Sequence, residues 1–111
     1  MQDALKANIE ERRGKARVGA ALSGSLKFGP ELSTNCEVVD VSVTGVKVQL
    51  ADTVPLNSEV TLILPGSVHF GGEVMWRHGL QVGLKFRNSP EKIAERLSGF
   101  LNSDDMRVLH S

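Results

Sequence analysis

The chain has 111 residues, and its 13 Lys and Arg are balanced by 13 Asp and Glu, so the formal net charge is zero. That length fits one domain, since domains run to about 100–150 residues. A composition of 41% hydrophobic and 23% charged residues belongs to a globular chain rather than a disordered one, and zero net charge weighs against a protein that coats nucleic acid through a basic surplus.

Residues 1–11 contain helix formers, with Leu5 and Ile9 four apart, and are expected as an N-terminal tail. Residues 12–17, RRGKAR, hold Arg12, Arg13, Lys15 and Arg17 and no acid, and Gly14 discourages a continuing helix. From residue 18 the apolar period becomes two. Val18, Ala20, Leu22, Leu26 and Phe28 share one parity, which predicts a strand with one buried face. Gly29-Pro30 breaks it, and the β-branched run around Cys36, Val38, Val39 and Val41 follows. Val46, Val48 and Leu50 alternate with Lys47 and Gln49. Val60, Leu62 and Leu64 end at Pro65-Gly66. Val68, Phe70, Val74 and Trp76 alternate with His69, Glu73 and Arg77, and Leu80, Val82, Leu84 and Phe86 close the series.

About six short strands with turn-like links predict an all-β fold, a small six-stranded antiparallel β-barrel, because closure removes exposed edges. A C-terminal helix is expected next, with Ser89 as N-cap, Pro90 at the first helical position and Ile93, Ala94, Leu97, Phe100 and Leu101 on the face turned to the barrel. Residues 102–111 are mostly polar and expected as a tail, so the folded unit spans residues 12–101. Cys36 is the sole cysteine, which rules out an intrachain disulfide and favours a reducing compartment. The sequence has no long apolar run and its first 17 residues lack the apolar core of a signal peptide, so a cytoplasmic protein without membrane insertion is expected.

Catalytic and metal-binding signatures are lacking. One cysteine and the scattered His69, His78 and His110 offer no ligand pair at usable spacing. Gly24 and Gly29 have P-loop spacing, but Pro30 stands where the lysine belongs. Neither G-x-G-x-x-G nor G-x-S-x-G occurs, and no motif places a histidine near Asp40 and Ser42. A binding module is expected, not an enzyme.

Two features carry binding chemistry. Arg13-x-x-x-Arg17, preceded by Arg12, offers planar forks that bind phosphate or the edge of guanine bidentately and stack on bases; the plainer reading is a solvated basic linker. Asp40-x-Ser42-x-x-Gly45 sits between two strands. Asp40 and Ser42 share a side if the strand is regular, an Asp accepts from guanine N–H groups, and a Ser hydroxyl donates to phosphate. Gly45 supplies a positive φ or a close approach to a ligand; the plainer reading is an ordinary Asx-type turn.

An R-x-x-x-R followed by D-x-S-x-x-G on a small barrel resembles the PilZ domain, the bacterial receptor module for cyclic di-GMP. Gly72-Glu-Val74-Met-Trp76 and Val82-Gly83-Leu-Lys-Phe86 also resemble strands of that family, and the likeness covers residues 12–101. It implies that Arg13 and Arg17 hold guanine edges and phosphates, that Asp40 and Ser42 line the barrel side of the site, and that Gly45 shapes the turn beneath. Arginine before the first motif arginine, here Arg12, accompanies a stacked pair of ligand molecules in that family. The family likeness further implies a 12–17 loop that orders on the ligand and a new surface for an effector protein, in control of motility, surface polysaccharide or biofilm. The charge distribution agrees, since residues 12–17 carry +4 and the remainder −4. By parity Trp76 belongs to the core or a barrel mouth; the alternative is an output surface or a base-stacking platform. The rival for the whole chain is a ligand-independent small-barrel adaptor for a protein partner. Oligonucleotide binding is disfavoured by 5% aromatic residues and no tyrosine.

Overall fold

Six strands follow one another in the computed structural model, which describes residues 16–110. They are β1 (Val18–Phe28), β2 (Leu32–Val41), β3 (Gly45–Leu50), β4 (Glu59–Leu64), β5 (Val68–His78) and β6 (Gln81–Phe86). Every pairing is antiparallel, and the order β1-β2-β3-β6-β5-β4 closes through β1 and β4, so the expected barrel forms. Closure pairs both edges of every strand and removes the templates for intermolecular pairing.

The period-two pattern drives this arrangement. Leu26, Val38, Val48, Leu62, Phe70, Val74 and Val82 all point inward and are buried, while their sequence neighbours face out. Phe70 and Phe86 meet inside with ring centroids 5.4 Å apart in a tilted pair. Val43 and Val54 add buried side chains from connecting segments. Cys36 is buried in this core, and burial, reinforced by Glu37, pushes its thiol up to about 11.

Three register shifts interrupt the ladders. One falls between Gly19 and Leu22 of β1, one between Val38 and Asp40 of β2, and one between Val74 and Trp76 of β5. In the last two the extra residues are Val39 and Met75, both apolar and both exposed. A bulge of one residue flips every later side chain to the other face.

Helix α1 (Pro90–Leu97) begins as expected: the Ser89 side chain accepts from the Lys92 N–H, Pro90 opens the first turn, and Ile93, Ala94 and Leu97 are buried. Phe100 and Leu101 lie beyond its end and pack on the core as partly buried residues. The Arg96 guanidinium donates to the His69 carbonyl at 2.9 Å, which ties α1 to the start of β5. The expected tail from 102 is replaced by a second helix, α2 (Ser103–Leu109). The Asn102 side chain accepts from the Asp105 N–H at 2.8 Å and caps it, and Leu109 is buried in the core. Among the described residues no helix is long and apolar enough to cross a membrane.

Candidate functional site

Arg17 enters β1 on the outside of the barrel, and its guanidinium reaches across to β2. Its Nε donates to Asp40 Oδ1 at 2.5 Å, and its Nη1 approaches Ser42 Oγ at 3.5 Å. Asp40 also faces Lys47 of β3, whose Nζ lies 3.5 Å from Oδ2. One carboxylate, with its side chain 21% exposed, is therefore shared by two cations.

Register explains why these groups meet. Gly19 pairs with Asp40, Asp40 with Lys47, Lys47 with Gly83, and Gly83 with Trp76. These positions form one row across five strands. The two bulges create it: carried on without a shift, the ladders would set Val39 opposite Lys47 and Met75 opposite Gly83. The bulges substitute a carboxylate and an indole at those two places.

The parity expectation for Trp76 fails for this reason. The bulge at Met75 turns Trp76 out of the core, and it is 42% exposed. Its ring lies over Gly83, where an added Cβ would fall 2.1 Å from Trp76 Nε1. Gly83 leaves the space the indole occupies. Trp76 also meets His78 edge-on, with centroids 6.4 Å apart.

Beyond Arg17, Asp40 and Trp76, the groove of about 580 Å³ is lined by Thr44, Lys47, Met75 and Lys85. Its charged lining is Arg17, Lys47 and Lys85 against Asp40, a surplus of two positive charges. A dianion of matching size finds both a counter-charge and an aromatic wall there.

Ser42 and Gly45 play their parts from beneath. Ser42 is fully buried, and its Oγ accepts from the N–H groups of Thr44 at 3.2 Å and Gly45 at 3.1 Å. The hydroxyl holds the β2–β3 turn together, and Arg17, which lines the groove, approaches it from outside. Gly45 does not take the positive φ expected of it. It is needed instead because β3 crosses β6 closely: a Cβ there would sit 2.5 Å from the Leu84 carbonyl oxygen.

The model for the PilZ domain matches residues 11–103. The chain belongs to the PilZ domain family. This is a family of cyclic di-GMP-binding domains, binding modules rather than enzymes as a class. No curated protein sequence matches the chain as a relative. Of the residues singled out in the sequence, Arg17, Asp40, Gly45 and Trp76 line the groove, and the buried Ser42 lies within reach of Arg17. Arg12 and Arg13, together with Lys15, lie outside the described residues.

Sequence reasoning did not assign Lys47, Lys85, Thr44 or Gly83 to the site. Lys47 and Lys85 were visible as outward residues of alternating strands. Gly83, a glycine inside a strand, carries the usual sign of a close approach. Among the described residues no group of three or more His, Cys, Asp and Glu side chains could hold a metal ion.

Proposed function

We propose that this PilZ domain is a cyclic di-GMP receptor that closes its arginine segment, residues 12–17, over the groove and presents the resulting surface to an effector protein. The observation that carries the reading is the bulge-built row joining Arg17–Asp40 to Trp76 in a groove of surplus positive charge. Asp40 retains acceptor capacity for guanine N–H groups after receiving Arg17 and Lys47, because a carboxylate offers about four lone-pair sites. Arg17 and Arg13 bind guanine edges and phosphate, Lys47 and Lys85 add counter-charge, and the exposed Trp76 ring stacks on a base. Ser42 and Gly45 keep the turn and strand spacing that hold Asp40 and Thr44 at the rim.

Arg12 belongs to a second ligand molecule, so the ligand binds as an intercalated pair. The receptor acts in the cytoplasm, where its lone thiol stays reduced, and its output lies in motility, surface polysaccharide or biofilm control. DNA and RNA are not its partners, and it performs no catalysis.

Calorimetric titration with cyclic di-GMP, with GTP as competitor, tests this directly. Selective binding near two ligands per chain is expected. Saturation at one overturns the pair and the role of Arg12. No binding at high micromolar ligand overturns the receptor and leaves the ligand-independent adaptor.

A further inference from the structure

Lys47 occupies the middle of the row that crosses the barrel. On one side its strand partner is Asp40, and on the other it is Gly83, which carries the Trp76 ring. It owes this place to the Val39 bulge, which moves Asp40 into register with it. Its Nζ lies 3.5 Å from Asp40 Oδ2, while Arg17 holds Oδ1. The two cations thus grip opposite oxygens of one carboxylate.

The consequence concerns the cost of using Arg17 on a ligand. A guanidinium that turns to guanine or phosphate gives up part of its hold on Asp40. A half-buried carboxylate that loses its only cation is penalised by desolvation. Here a second cation stays behind.

We infer that Lys47 is a positioning residue for cyclic di-GMP binding: it retains Asp40 at the groove wall when Arg17 engages the ligand. The inference rests on the receptor reading above. Beyond the counter-charge it shares with Lys85, Lys47 acts through Asp40; Lys85 lines the same groove but stands opposite Glu73 on β5, outside the row. The charge of Lys47 matters more than its shape, so arginine replaces it.

A double-mutant cycle on affinity decides the matter. Cyclic di-GMP is titrated into the wild type, Lys47→Met, Asp40→Asn and the double variant at one salt concentration, with Lys47→Arg as the rescue. Lys47→Met is expected to weaken binding roughly tenfold with Asp40 present and no more than about threefold with asparagine in its place. Lys47→Arg is expected to bind within about threefold of the wild type. Equal losses in both backgrounds would show Lys47 acting on the ligand's charge alone and overturn this inference while the receptor stands. Failure of Lys47→Arg to restore affinity also overturns it. Failure of the wild type itself to bind overturns the receptor reading, and this inference with it.

Discussion

Two grooves on the outside of this barrel are built from similar parts and differ in kind. The first has the Arg17–Asp40 pair and a glycine, Gly83, that admits an indole. The second, of about 360 Å³, has the Arg87–Glu59 pair at 2.6 Å, with Gly71 and Thr61 as small lining residues and Lys27 beside them. Asp40 is 21% exposed and shared by two cations, one of which, Arg17, also approaches the buried Ser42 hydroxyl. Glu59 is 76% exposed. Around the first groove three ladders shift register; across the second, the β1–β4 and β4–β5 ladders run without a shift. An ion pair beside a glycine is thus not in itself a site. The bulges supply what the second groove lacks, a part-buried carboxylate and an outward aromatic in one row.

The largest expected effect that sharpens this contrast is on Arg17. Replacing it with methionine removes a charge-assisted contact worth about 1.5–3 kcal/mol, so affinity for cyclic di-GMP should fall roughly ten- to hundredfold by calorimetry. The same change should alter folding stability by less than about 1 kcal/mol in urea, because the Arg17 side chain is 45% exposed and solvent screens its pair. A large loss of stability with unchanged affinity would make Arg17–Asp40 a structural pair like any other and erase the distinction between the grooves.

A smaller effect is expected at Gly83. A methyl there collides with the Trp76 ring, whose atoms are its three nearest neighbours, so the ring must swing away. Gly83→Ala should therefore shift the emission of Trp76, the only tryptophan, and cost about 1 kcal/mol of base stacking, close to fivefold in affinity. Displaced emission with full affinity would remove the indole from the binding site.

The barrel was legible because alternation states directly which side chains face inward, and α1 because Ser89-Pro90 and the spacing of Ile93, Ala94 and Leu97 agree. Arg17, Asp40 and Ser42 were singled out because their residue types and spacing carry chemistry, and the fold brings the three together. What stayed hidden was the register. Val38-Val39-Asp40 and Val74-Met75-Trp76 do not say which residue is extra, and that choice is made by pairing with distant strands. Parity therefore put Trp76 on the wrong side. Gly45 was read as supplying a turn's φ or a ligand's close approach, yet the φ is ordinary and the close neighbour is the carbonyl of Leu84, 39 positions away in sequence. The short α2 was missed because a helix of seven residues has little periodicity to show; its burial comes from docking Leu109.

The smallest expected effect is in the second groove, where it is also the most diagnostic. Glu59→Gln breaks the ion pair with Arg87, a loss of less than about 1 kcal/mol for two exposed side chains. The substitution brings a compensation as well, because Glu59 stands directly opposite Glu73 on β5, and opposed like charges destabilise a ladder by a comparable amount. The two terms have opposite signs, so urea unfolding should move by less than about 0.5 kcal/mol in either direction. Cyclic di-GMP affinity should remain that of the wild type, since no residue of this groove lines the other. A change beyond threefold in affinity would mean that charge on β4 and β5 reaches the Trp76 end of the barrel. The two grooves would then have to be treated as one electrostatic surface.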